Sequence, residues 1–418
     1  MTTMEVSLKL KARIAPVAAL AAVSALAASM AIGGATPSVA APSAAASSSA
    51  ASGAHAPSPA VPEYYLALPG GDNFANVPGS RTAVVGNTLT GRKPLTIRAF
   101  GKDKFVTVSA AADDRTFVLG ANPNPQPPAI PSPTEWYLVH LAPGAKFRAT
   151  ERKLRIPGPA KDDWVAQTAV SPNGREVALA GTYQPTYPAP ALDWVRIYST
   201  ATGALLHSWS GLPDATWDGY ITLSWTEGGR QLAIGYTFAL TPAGSKRSWP
   251  YLGVRLLNVA SPGHNLTTDS RLAWSKLQAT SGISKPTPLT CAIDLQVTVS
   301  ADGTVVCGGY GILRDYTPNP VAKTCPAVPD WAAVGFVAYS TATGKEVGPL
   351  YQEDTNCELS QISVLWTNAT GGTAIGYYEL GTFLATKPVT RFGVFSHGIY
   401  TPLRLPPTTT TVPATIAW

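Results

Sequence analysis

Ser199-Thr-Ala-Thr-Gly203 returns, residue for residue, as Ser340-Thr-Ala-Thr-Gly344, 141 positions later. At the same spacing Trp225-Thr226 returns as Trp366-Thr367, and Ala233-Ile-Gly-Tyr236 as Ala374-Ile-Gly-Tyr377. Residues 199–236 and 340–377 therefore align without a gap. Upstream, Val170-Ser-Pro-Asn-Gly174 matches Val299-Ser-Ala-Asp-Gly303, but at a spacing of 129. The second copy thus carries a 12-residue insertion between that turn and the repeated pentapeptide, within the Pro-rich stretch 309–331 that contains Cys325. Repetition over such a period is the mark of an array of supersecondary units.

The unit is legible from residues 163–211. An apolar run at 165–170 leads to Ser-Pro-Asn-Gly, a tight turn whose Asn-Gly tolerates positive φ. A second run at 176–181 is followed by a long loop. Trp194-Val-Arg-Ile-Tyr198 alternates as a third strand, and the Thr-Ala-Thr-Gly turn introduces a fourth at 204–209. The same grammar fits 103–154, 217–277, 288–352 and 358–406. A first unit at 63–98 has only three strands, although its Thr88-Leu-Thr-Gly91 matches the turn before the fourth strand elsewhere. Successive four-stranded units of this length predict an all-β protein, a β-propeller of four-stranded antiparallel blades in which each sheet packs against its neighbours. The count is six. The segment 412–418 is expected to close the ring as the innermost strand missing from the first blade. Seven blades, or a pair of two-sheet sandwiches, are the alternatives.

Composition agrees. Of 418 residues, 37 are Gly and 38 Pro, and only 13% are charged, against about 25% in ordinary soluble domains. Short strands joined by turns suit these figures and long helices do not. The net charge of +6 is spread along the chain without a Lys/Arg cluster, so no nucleic-acid partner is expected.

The first 40 residues read as an address. Lys9, Lys11 and Arg13 precede an Ala-rich apolar stretch at 14–33, and Ser38-Val39-Ala40 offers small residues for cleavage. This is the pattern of a signal peptide; an uncleaved membrane anchor is the alternative, and the only membrane contact expected. Residues 41–62, rich in Ala, Ser and Pro, read as a disordered spacer. The propeller domain is expected to span 63–418, and the protein to be secreted or displayed on the extracellular side of a bacterial membrane. Four cysteines, Cys291, Cys307, Cys325 and Cys357, suit an oxidising compartment. Their spacing lacks the close pairs of zinc sites, so two disulfides are expected. Three pairings are possible, and Cys291–Cys307 with Cys325–Cys357 is the one favoured.

Tyr64-Tyr-Leu-Ala-Leu68, Ala111-Ala-Asp-Asp-Arg-Thr-Phe117, Ser171-Pro-Asn-Gly174 and Tyr198-Ser-Thr-Ala-Thr-Gly203 together resemble the exported WD40-like, TolB-type propeller proteins of actinobacteria. The resemblance covers 62–406 and rests on strand and turn elements. The Gly-His and Trp-Asp dipeptides of true WD40 repeats are not repeated here. The resemblance implies a propeller with a binding or scaffolding role and transfers no functional residue.

Catalytic signatures are absent from the sequence: no G-x-S-x-G elbow, no H-E-x-x-H, no phosphate-binding loop. No cofactor or metal is expected. Asp113-Asp114 reads as a turn rather than an acid/base pair, and Trp225 and Trp366 read as equivalent core residues. A pair of converging carboxylates would mark a glycosidase. Glu135, Asp193, Asp315, Asp330 and Glu379 are the candidates, though nothing in the sequence brings them together. One feature of organisation points to function. The long loops 120–135, 182–193, 237–252, 309–331 and 378–390 all join second to third strands and should emerge at one end of the ring, opposite an end of tight turns. They hold Tyr183, Tyr187, Tyr310, Tyr316, Trp331, Tyr378 and Phe383, of which Tyr183, Tyr187, Tyr316 and Trp331 are the predicted binding residues. The expected function is noncatalytic binding of a protein, glycan or envelope partner by a monomer. A carbohydrate-active propeller enzyme, or a structural or sensory envelope protein, are the alternatives.

Overall fold

Period-two apolar patterns broken by Gly-, Asn- and Asp-containing turns leave the chain little choice but short antiparallel hairpins. The computed structural model describes residues 61–418 apart from 70–78, 124–132, 143–147, 161–162, 184–191, 212–221, 241–248, 262, 278–286, 292–296, 314–330, 356–358, 381–388 and 405–414. The signal segment and nearly all of the spacer read from the sequence lie outside these residues.

Blade 1 contains β1 (Tyr64–Leu68), β2 (Thr82–Asn87) and β3 (Leu95–Arg98). Blade 2 is β4 (Lys104–Ala110), β5 (Thr116–Asn122), β6 (Glu135–Leu141) and β7 (Ala149–Leu154). Blade 3 is β8 (Asp163–Val170), β9 (Glu176–Tyr183), β10 (Leu192–Ser199) and β11 (Leu205–Ser210). Blade 4 is β12 (Thr222–Thr226), β13 (Gln231–Leu240), β14 (Trp249–Asn258) and β15 (Ser270–Leu277). In blade 5 the first strand is split into β16 (Thr287–Cys291) and β17 (Thr298–Val299), followed by β18 (Thr304–Leu313), β19 (Trp331–Ser340) and β20 (Glu346–Thr355). Blade 6 is β21 (Leu359–Thr367), β22 (Thr373–Leu380), β23 (Val389–Ser396) and β24 (Ile399–Pro402). The last strand, β25 (Thr415–Ala417), returns to blade 1 and pairs with β1, giving the order β25-β1-β2-β3.

The first strands neighbour one another in the cyclic order β25, β4, β8, β12, β17, β21 and back to β25. This is a six-bladed propeller closed by its C-terminal segment, as the short first unit predicted. Side chains tie successive inner strands together. Ser109 Oγ accepts from the Val170 amide, the Trp225 indole N–H donates to the Ala169 carbonyl, and Ser224 Oγ accepts from the Val299 amide. Six apolar clusters each straddle one blade interface. The hydrophobic driving force is thus spent between blades rather than in one central core.

The repeated pentapeptide is a structural device. Thr200 Oγ1 donates to the Gly174 carbonyl at 2.8 Å, and Thr341 Oγ1 to the Gly303 carbonyl at 2.7 Å. In blades 3 and 5 the third-to-fourth turn is thereby pinned to the first-to-second turn. Gly203 and Gly344 close those turns at φ 75° and 68°, where a Cβ would be strained. The 12-residue insertion lengthens the second hairpin: β18 and β19 have ten residues each where β9 and β10 have eight. The rest of it falls in 314–330.

One equivalence expected from the sequence is altered by packing, and one expected turn is formed. Trp225 is buried and pairs in register with Leu232, whereas Trp366 is half-buried and pairs with Ile375 after a bulge between Val364 and Trp366. The extra residue slides β21 along β22, so Trp366 packs at the closing interface instead. Asp113 and Asp114 hold a turn. Asp113 Oδ1 accepts from the Arg115 and Thr116 amides, and Asp114 Oδ2 accepts from the Glu63 amide.

The Cys291–Cys307 disulfide is formed, with the Cα atoms 5.6 Å apart; Cys325 and Cys357 lie outside the described residues. Its place explains it. β16 pairs with Gly309 to Ile312 and β17 with Val305 and Val306, which among the described residues leaves Cys307 and Gly308 between the two pairings. The disulfide spans that junction.

Candidate functional site

In an up-and-down meander the second-to-third connections and the blade-to-blade connections emerge at the same end. Here the former are 69–81, 123–134, 184–191, 241–248, 314–330 and 381–388, one per blade. The strands run further into the expected loops than their sequence suggested, because cross-strand pairing continues through the Gly-rich hairpins. Tyr378 is consequently fully buried in β22, and Tyr310 is half-buried in β18. Tyr183 ends β9 opposite Leu192, and Trp331 begins β19 opposite Leu313. Tyr187, Tyr316 and Phe383 lie outside the described residues. The opposite end is not made only of tight turns: between β14 and β15 it carries a helical turn, Leu266–Asp269.

At the end with the long connections, blades 1 and 2 meet in a polar cluster. Cross-strand register puts Tyr137 of β6 beside Lys153 of β7, and Glu135 two residues earlier shares their face. The Tyr137 hydroxyl lies 2.8 Å from Asp103 Oδ2 and 2.7 Å from Glu135 Oε2, and Lys153 Nζ is 2.8 Å from the same Glu135 oxygen. A phenol has one proton to donate, so it satisfies one carboxylate at a time. Burial pushes the Tyr137 phenol above its ordinary range, reinforced by hydrogen bonds to Glu135 and Asp103. Lys153, then Tyr137, hold Glu135 below the usual carboxylate range. Phe100, from the connection that leads into β4, stacks on Tyr137 with ring centroids 5.2 Å apart, yet is 53% exposed. Beside this cluster is an open recess of about 470 Å³ lined by Thr134, Glu135, Lys153, Leu154, Arg155 and Ile156.

The depressed Glu135 carboxyl contributes stability above its unfolded pKa, about 4.3, and loses it as pH falls through the lower folded value. Both partners are partly exposed, with side chains 58% and 29% accessible, so solvent screening keeps the effect small. Lys153→Met is expected to lower unfolding free energy by roughly 0.5 kcal/mol above pH 6. Denaturant titrations should show that difference fade as pH falls through the depressed folded pKa, because Glu135 then becomes protonated in either chain. A difference independent of pH would refute the pairing.

Other carboxylates are consumed structurally. Asp163, its side chain 4% exposed, binds Arg196 at 2.7 Å, whose guanidinium lies over the Trp194 ring. Glu353 takes Tyr351, Tyr378 and Arg391 between blades 5 and 6. Glu379 is buried in β22, the Asp193 backbone pairs with Thr182, and Asp315 and Asp330 lie outside the described residues. Asp113, Thr116 and His140 are hydrogen-bonded in a chain, but the hydroxyl is in the middle and gives its proton to Asp113. This is the wrong order for histidine to activate a nucleophile. Among the described residues no group of three His, Cys, Asp or Glu could hold a metal, and no helix is long and apolar enough to cross a membrane.

Of the carboxylates named from sequence, Glu135 gains a carboxylate neighbour, Asp103. Asp103, Phe100, Tyr137 and Lys153 had no sequence signal, since they come from separate strands and a linker. Glycine in the second strands of blades 2 to 6 is a sequence signal of close packing. A Cβ on Gly120 would lie 2.6 Å from the Thr107 methyl, and one on Gly235 2.2 Å from Val297.

No family model and no curated protein matches the chain. Solved structures resemble it distantly. An acylaminoacyl peptidase from Pyrococcus horikoshii is 9% identical with a TM-score of 0.38, over 77% of this chain and 41% of that one. The β-propeller domain of Cps50 (Swd1) from Myceliophteria thermophila is 12% identical with a TM-score of 0.31, over 71% and 88%. A protein of unknown function from Desulfotomaculum acetoxidans is 11% identical with a TM-score of 0.35, over 82% and 100%. The chain spans less than half of the peptidase, and at such scores nothing about activity passes to it.

Proposed function

We propose that the chain is an exported, noncatalytic propeller that binds a glycan, protein or envelope partner through the end of the ring bearing the second-to-third connections. The observation that carries this reading is the patch at blades 1 and 2. Phe100 offers an accessible ring face for stacking. Glu135 and Lys153 offer an acceptor and a donor, and the recess beside them leaves room for a ligand. Tyr183, Tyr187, Tyr316 and Trp331, in or beside second-to-third connections by sequence, are assigned to the same surface in this reading. A panel of immobilised bacterial envelope glycans and cell-wall fractions provides the test. Phe100→Ala, and separately Tyr316→Ala with Trp331→Ala, should weaken retention at least tenfold, a loss of about 1.4 kcal/mol, with little change in melting temperature. Unchanged retention, or unfolding by the substitutions, would remove these residues from the site.

The convergence of Asp103 and Glu135 favours one second reading, a carbohydrate-active enzyme. Both oxygens contact one hydroxyl, so their separation cannot exceed the sum of the two hydrogen-bond lengths. Paired glycosidase carboxylates lie roughly 5–9 Å apart. Hydrolysis of aryl glycosides that disappears in Glu135→Gln would support it, and no turnover across a broad panel would dismiss it.

A further inference from the structure

We propose that the recess beside Phe100 selects a saccharide bearing a carboxylate, and that Arg155 is the residue that takes the acid; this rests on the glycan-binding reading of the same surface and names its ligand class. The recess, about 470 Å³, is lined by Thr134, Glu135, Lys153, Leu154, Arg155 and Ile156. Of its charged groups, Glu135 and Lys153 neutralise one another at 2.8 Å. Arg155 is exposed and makes neither a hydrogen bond nor an ion pair among the described residues. The lining therefore carries one surplus positive charge. It sits on a guanidinium, whose planar fork matches a carboxylate through two parallel hydrogen bonds. A carboxylate meets that surplus with a single negative charge, whereas a phosphate ester would bring nearly two toward Glu135.

The backbone that carries Arg155 is held on both sides. Leu154 and Ile156 are buried in one apolar cluster with Trp136 and Val165. Arg152 reaches to blade 3 and donates to the Thr200 and Ala201 carbonyls at 2.7 and 3.2 Å. Gly203 of that turn packs so near that a Cβ on it would lie 2.5 Å from the Arg155 carbonyl carbon. Little backbone entropy is then left to lose when the side chain engages an acid. The remaining surface suits a sugar better than a peptide. Phe100 lies against Tyr137 and so offers one flat face, and the Tyr137 hydroxyl joins that platform to Glu135 in the wall of the recess. Thr134 and Glu135 supply a hydroxyl and an acceptor for ring hydroxyls. The volume falls in the range of small-ligand sites, about 300–1,000 Å³.

The test titrates the full chain with oligosaccharides of galacturonate, glucuronate and mannuronate, each beside its neutral methyl ester, and with an Asp/Glu-rich peptide. At least one acid is expected to bind roughly tenfold more tightly than its ester, the worth of a charge-assisted hydrogen bond. Arg155→Gln should cut that preference to about twofold or less, with the melting temperature unchanged because the side chain is exposed. Salt at about 0.5 M should weaken the acids more than the esters. Phe100→Ala should weaken acid and ester alike. Equal affinity for acid and ester, both lost in Phe100→Ala, overturns the carboxylate while leaving glycan binding in place. A preference that survives Arg155→Gln overturns the assignment of Arg155. Binding of the acidic peptide and of no saccharide overturns the proposal in favour of a protein partner. Binding of none of the probes overturns it together with the glycan reading.

Discussion

Deletion of residues 415–418 is expected to lower the unfolding temperature by roughly 5–10 °C. The segment buries an isoleucine, an alanine and a tryptophan, and it completes the hydrogen bonding of β1. Truncating a buried tryptophan to alanine alone costs about 3–5 kcal/mol. A further 1.5–3 kcal/mol attaches to the isoleucine. With an unfolding entropy of about 2.1 cal/mol/K per residue, a domain of this size loses roughly 1–1.5 °C per kcal/mol, and total stabilities are only about 5–15 kcal/mol. The effect is larger than the length suggests, because opening the ring also uncovers Ile375 and Val394 on blade 6. Calorimetry of the deletion beside Trp418→Ala separates these contributions, and the single substitution should account for about half the loss. A deletion variant that melts with the intact protein would mean that β25 does not hold the ring closed.

Removal of the disulfide should have the next largest effect. Cys291 and Cys307 close a loop of sequence separation 16, and a crosslink over a loop of that length stabilises by about 3 kcal/mol. The context favours the full value. The crosslink lies where, among the described residues, the inner-strand pairing of blade 5 passes from β16 to β17, and Cys307 and Gly308 pair with β19 alone. Both sulfurs are fully buried, so Cys291→Ala with Cys307→Ala is the appropriate pair: it leaves no unpaired thiol. Denaturant unfolding should show a loss of roughly 3 kcal/mol with the slope little changed. Stability equal to wild type would mean that neighbouring blades alone hold the broken strand.

The repeats made the architecture legible because a propeller blade is a local object. Its hairpins join strands adjacent in sequence, and its turns need particular residues: Asn173-Gly174, Thr202-Gly203, His397-Gly398. The two members of the last pair both have positive φ, as a two-residue hairpin requires. The missing strand of the first unit and the spare segment at 412–418 implied closure by the same logic. Register was less legible. The bulge that shifts Trp366 depends on how blade 6 meets blade 1, and the spacing to Trp225 carries no trace of it.

The sequence by itself determined the all-β class and its four-stranded units, and it favoured six blades, a closing strand and the Cys291–Cys307 bond over the alternatives it left open. All follow from periodicity, turn chemistry and short sequence separations. Only the tertiary structure decided which polar side chains meet. Asp103 comes from the link between blades, Glu135 and Tyr137 from β6, and Lys153 from β7; their meeting depends on strand register and on the angle at which blades 1 and 2 pack. Those quantities arise from the burial of apolar surface summed over a whole interface. No short stretch of sequence encodes them.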